Sequence, residues 1–238
     1  MEETMGKKII INNKIGFVCT IHQSDAHRPN GFELFNNFVE SLYQSCEYPF
    51  MLYVFDNGST DKFEIENDVD NMKIIRVDDQ YARGVTGTWN DGIKLGLADG
   101  CDVMIITEDD EIIDNSINNL ISVVLSHPLN DNAMYGPVSN APNNGHQSAS
   151  EPTGKIFEID GTPTKELNGF CMAMTRKTIE ANYYDTDNFF STDFENAWGG
   201  QDVEVQSRVG HSIVVGTCYV HHIKQGGWRK IRDGNYEK

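Results

Sequence analysis

Apolar positions along this chain fall in short runs separated by segments of helical spacing. Ile15 to Ile21 (IGFVCTI), Phe50 to Phe55 (FMLYVF), Lys73 to Val77 (KIIRV) and Val103 to Thr107 (VMIIT) have strand length and β-branched content. Between the first two, Phe32 to Tyr43 (FELFNNFVESLY) places Phe35, Phe38, Val39 and Leu42 on one helical face. Thr86 to Leu97 and Ser116 to Ser126 predict further helices. Strands separated by helices of this length predict βαβ units and a mostly parallel sheet. Ligands of such sheets bind at the carboxyl ends of the strands.

The pattern changes in the second half. Gly136 to Thr164 is rich in Pro, Asn, Gly and Ser and reads as loop, with one strand at Lys155 to Ile159. A strand-like GFCMAM, a helix near Arg176 to Ala181 and a last strand, SIVVGTCYV, follow. No internal repeat or linker divides the chain, so one domain over residues 1–238 is expected.

Composition narrows the classes. A chain of 238 residues with 39% hydrophobic content can bury a sizeable core. No apolar run approaches the roughly 18 residues that cross a bilayer, so no transmembrane segment is expected. The start, MEETMGKKII, lacks the apolar stretch of a secretory signal. Cys19, Cys46, Cys101, Cys171 and Cys218 are odd in number and form no CxxC pair. A soluble, cytoplasmic protein is the expectation, in a host's cytoplasm if the source is viral. The net charge of −17 argues against nucleic acid and anionic membranes as partners. A phosphate-bearing ligand would need a local cation.

Four polar clusters follow strand-like runs: DNGSTD from Asp56, EDDE from Glu108, GGQDVE around Asp202, and His221-His222. Alone, each has an ordinary reading. Asn-Gly and Ser/Thr/Asp build turns and helix caps. Acidic runs favour helix N-termini. Their order, each at a strand end, is what suggests one site. GxxxxGK[ST], GxGxxG after the first strand, HExxH and GxSxG are absent, which excludes several common nucleotide, metalloprotease and hydrolase classes.

With VCTIHQ, FDNGSTD, RGVTGTWNDG, ITEDDE, LNGFCMAMTR, GGQDVEVQSRVG and YVHHIKQGG in this order, the chain resembles GT-A fold glycosyltransferases of the family-2-like inverting type. The resemblance implies an α/β, Rossmann-like, mostly parallel sheet flanked by helices, with a smaller acceptor-side sheet. Residues 1–135 would be the nucleotide-sugar half and 136–238 the acceptor half. It implies transfer of a sugar from a UDP-, GDP- or dTDP-type donor to a glycan or glycoconjugate acceptor, with Mn²⁺ or Mg²⁺. Carried over residue by residue, it assigns Thr20, His22, Asp56, Arg83, Asn90 and Asp109 to the donor. Trp198, Gly200 and Gln201 fall to the acceptor, and Asp202 to the catalytic base. Glu108, Asp110 and His222 become metal ligands. Glu111 is read as facing solvent or starting the next helix.

Two positions depart from the pattern. Glu108 stands where an Asp is usual, and Gln201 where a Glu is usual, which leaves Asp202 the one carboxylate of that pair. Two other functions compete. One is a sugar-phosphate nucleotidyltransferase, for which TIHQSDAHRPNG is a poor Gly-rich basic loop. The other is a non-catalytic divalent-ion or carbohydrate-binding module, although EF-hand spacing is absent.

Overall fold

The computed structural model describes residues 13–24, 28–60, 70–78, 84–109, 111–159, 166–194 and 200–223. The first half runs β1 (Ile15–Ile21), α1 (Gly31–Ser45), β2 (Phe50–Asn57), β3 (Met72–Val77), α2 (Gly84–Ala98), β4 (Val103–Glu108), β5 (Glu111–Ile113) and α3 (Ile117–Ser126). The second half runs β6 (Met134–Ser139), β7 (Ile156–Glu158), β8 (Cys171–Thr175), α4 (Arg176–Ala181), α5 (Gln201–Val209) and β9 (Ser212–His222).

These strands form one sheet in the order β3-β2-β1-β4-β8-β6-β9-β5, with β7 also on β9. β1 to β4 are mutually parallel where they pair, as the βαβ pattern predicts. The strands of the second half extend the same sheet. β8 enters antiparallel between β4 and β6, and β9 runs parallel to β6. Strand alternation fills both faces. Phe17, Leu52, Ile105 and Ala173 face α1 and α3, while Val18, Tyr53, Met104 and Met172 face α2, α4 and α5. Cys101, Cys171 and Cys218 are buried thiols in these layers.

Two segments differ from the sequence expectation. Met134–Ser139 is a fully buried strand, although its Gly and Pro suggested loop from residue 136 onward. Proline removes a ladder donor and is tolerated at bulges. Pro137 sits at one: the register with β9 jumps between Pro137/Val215 and Val138/Tyr219. β5 is the second difference, a three-residue strand directly after the acidic run.

Close packing of α2 fixes the carboxyl rim of the sheet. Gly92 and Gly96, one turn apart, face Val18 and Met104, and a Cβ on either would come closer than 3.0 Å. The helix therefore lies directly on β1 and β4. At its N-terminal end, Thr88 Oγ1 sits 2.6 Å from Thr20 Oγ1, which ties the helix start to the end of β1.

Candidate active site

The carboxyl ends of β1, β2 and β4 carry Thr20 and His22, Asp56, and Glu108. The register sets Thr20 opposite Glu108 and Ile21 opposite Asp56, so these ends lie side by side. The start of α2 and the end of β9 come to the same rim.

Asp56 is 2% exposed and doubly held. Its Oδ1 accepts the Ser59 backbone N–H at 3.3 Å, an Asx-type turn closing the DNGS segment. Its Oδ2 accepts Arg76 Nη1 at 2.5 Å, and Arg76 also donates to the Ser59 carbonyl. A buried carboxylate requires such a partner. Arg76 escaped the sequence reading because its pairing follows from the β2/β3 register, which sets Asp56 opposite Arg76. His22 Nδ1 lies 3.0 Å from the Asn57 carbonyl, locking the ring against the same turn.

Asp109 is likewise engaged. Arg28, from the loop after β1, grips it with two bonds of 2.7 and 2.6 Å. This fork geometry is the strong form of the ion pair. It neutralises one of the four clustered acids.

Glu111 corrects the sequence reading. It neither faces solvent nor begins a helix. It is 0% exposed, and β5 pairs it directly with His222 on β9. Strand alternation aims His222 at Glu111, with Nδ1 and Oε1 2.5 Å apart, and leaves His221 exposed. Ligand atoms of Glu108, Glu111 and His222 all fall within 4.8 Å of one another. Two carboxylates and an imidazole at that spacing fit a divalent ion of the Mn²⁺ type. The sequence signal for Glu111 was faint: the acid begins a short EII alternation. Asp110, Arg83 and Trp198 lie outside the described residues.

On the second half, α5 is bounded by two left-handed glycines, Gly200 (φ 103°) and Gly210 (φ 88°). A side chain at Gly200 would be strained and would meet the Phe194 ring. The tight entry turn sets buried Gln201 and half-buried Asp202 in the first turn of α5. The Asp202 carboxylate overlies Gly169, beside Trp89 of α2. Asn90, expected near the donor, has its side chain turned inward at 1% exposure. It donates to the Phe190 carbonyl and accepts from the Phe189 and Phe190 N–H groups. It thereby ties the first half of the chain to the second. Arg208, the arginine downstream of Asp202, pairs with Glu204 and caps the carbonyls of Asn182 and Phe189.

No family model matches this chain, and no curated protein matches it in sequence. Solved structures do match, and the class they define is the GT-A glycosyltransferase fold. One is TarS residues 1–349 from S. aureus, with a TM-score of 0.58 at 12% identity over 88% of this chain and 60% of that one. The same TarS fragment in complex with UDP gives a TM-score of 0.55 at 13% identity, over 87% and 60%. The chain thus spans about three fifths of the length of these neighbours. Among the described residues, no helix is long and apolar enough to cross a membrane.

Proposed function

We propose that this chain is a metal-dependent glycosyltransferase that moves a sugar from a nucleotide-diphosphate donor to an acceptor hydroxyl, with inversion. The observation that carries the proposal is the convergence on one rim of a GT-A sheet. Asp56 with Arg76, the Glu108/Glu111/His222 cluster and Asp202 all meet there.

Each group has a chemical task. The Asp56–Arg76 pair sets an acceptor beside donors, which suits the edge of a nucleotide base. Thr20 and the N-terminus of α2 lie between that pair and the acidic cluster, where helix N–H groups favour anionic oxygens. Glu108, Glu111 and His222 would hold the divalent ion. The ion would supply Lewis-acid neutralisation of charge on the departing diphosphate. That role explains how so acidic a protein accepts an anionic donor. Asp202, on the acceptor side, takes the proton of the attacking hydroxyl as its oxygen bonds the anomeric carbon. Attack from the face opposite the leaving diphosphate inverts that carbon.

The nucleotidyltransferase alternative calls for a basic loop after β1. The single arginine of that loop, Arg28, grips Asp109 instead. The neighbour solved with UDP makes UDP-sugars the first donors to test. Mass spectrometry of donor–acceptor incubations with Mn²⁺ should detect a glycosylated product. Asp202→Asn should lower its rate by about 10²–10⁴-fold while UDP binding persists. Full activity in that variant would remove Asp202 from its assigned role, and pyrophosphate release from a nucleoside triphosphate would favour the alternative.

A further inference from the structure

Asp202 sits in the first turn of α5, where backbone N–H groups have no partners within the helix. Among the described residues no side chain caps that turn, since the N-cap is Gly200. One buried amide restrains it from the turn that follows.

Gln206 is 4% exposed. Its Nε2 donates to the Asp202 carbonyl at 2.8 Å and to the Leu167 carbonyl at 2.9 Å. Its Oε1 accepts the Leu167 N–H at 2.7 Å and Ser212 Oγ at 2.8 Å. A primary amide offers two donors and two acceptor lone pairs, so every position is used. Leu167 engages both of its backbone groups with this one side chain, as paired residues do in an antiparallel ladder. The amide thereby docks residues 167–169 on α5. From the other side, Gln147 Oε1 accepts the Asn168 N–H at 2.7 Å, and Asn144 Nδ2 donates to the Glu166 carbonyl at 2.7 Å. Gln147 is itself anchored through Nε2 to the Pro137 carbonyl.

The docked segment ends beneath the Asp202 carboxylate. A Cβ on Gly169 would lie 3.3 Å from Asp202 Oδ2 and 3.5 Å from Trp89 Cη2. The other carboxylate oxygen, Oδ1, accepts the Val203 N–H at 3.1 Å. Ser212 opens β9, whose far end carries His222. A single side chain thus joins the Asp202 turn, the backbone under its carboxylate and the strand that reaches the metal-type cluster. Packing alone does not call for an amide here. A fully satisfied buried polar network fixes one geometry.

We propose that Gln206 is a positioning residue that sets the Asp202 carboxylate over Gly169 and so fixes its distance to the attacking hydroxyl. The inference rests on the glycosyl-transfer reading.

Three variants and one spectroscopic signal test this. Gln206→Met keeps the side-chain length and removes the bonds. Its kcat for transfer from UDP-sugars to methyl glycosides should fall by roughly tenfold to a hundredfold, the effect of misplacing a reacting group by about an ångström, while UDP affinity holds. In the Asp202→Asn background the same change should cost less than about twofold, because a residue that acts through Asp202 has nothing left to position. Gly169→Ala probes the same geometry without touching the amide, and it decides the matter if Gln206→Met fails to fold. Gly169 is not among the glycines with positive φ, so alanine suits its backbone, and the methyl meets the carboxylate. Its kcat should fall by a similar factor with little change in melting temperature. Independent, multiplied losses with Asp202→Asn, or an unchanged kcat in Gly169→Ala, would overturn the proposal. Carboxyl ¹³C NMR of the full chain needs no turnover. The Asp202 resonance, assigned by its loss in Asp202→Asn, should shift in Gln206→Met and in Gly169→Ala; an unmoved resonance in both would overturn the proposal. If no UDP-sugar is turned over at all, the glycosyl-transfer reading fails separately, and the resonance still decides whether Gln206 places the carboxylate.

Discussion

Glu166 at neutral pH is a charge the fold would do better without. Its folded-state carboxyl binds a proton more tightly than an ordinary glutamate, because burial and then Asp202 disfavour the ionised form. A raised carboxyl contributes stability below the usual glutamate range and loses it as pH rises through the folded value. Glu166→Gln should therefore raise the melting temperature at pH 7, with the gain shrinking as pH falls into the carboxylate range. Thermal unfolding across that range checks the sign; a variant less stable at pH 7 would contradict it. At this scale the sequence exposed the acids but not their partners. DNGSTD and EDDE are visible in any reading. The Arg76–Asp56, Arg28–Asp109 and Glu111–His222 pairs depend on strand register and loop path, and no local pattern encodes either.

Elements decide how well those side chains are held. α2 reaches the sheet closely because Gly92 and Gly96 remove the side chains that would separate them. The Thr20–Thr88 contact and the Asn90 tie to the 189–190 segment both depend on that approach. Gly92→Ala should force Val18 aside and cost roughly 1–3 kcal/mol, the usual penalty of overpacking. Denaturant unfolding should show it, and an unchanged midpoint would mean that α2 can shift without strain. The strands and helices of the first half were legible because each is a periodic apolar run with turn residues at its ends. Buried β6 was not, because its Gly136 and Pro137 signal a loop, and only the bulge against β9 accommodates the proline. β5 was too short to announce itself.

Across the whole molecule, β9 links the two halves. Its first residues pair with β6 and β7, and its last pair with β5, bringing His222 from the far end of the chain to Glu111. With a net charge of −17, the proposed binding of a diphosphate donor would depend on local cations at this junction. The fold class could be read from the alternation of elements, and the ordered motifs sharpened it to the GT-A type. The composition of the metal-type cluster could not, since β5 moved Glu111 from the expected surface into the core. The central claim is that this cluster couples a divalent ion to the nucleotide donor. Calorimetric titration of UDP into the protein, with Mn²⁺ and again after chelation, tests it most directly. The account predicts binding with Mn²⁺, at least tenfold weaker binding without it, and loss of the Mn²⁺ effect in both Glu111→Gln and His222→Ala. Equal UDP affinity with and without the ion, or an undiminished Mn²⁺ effect in those variants, would contradict it.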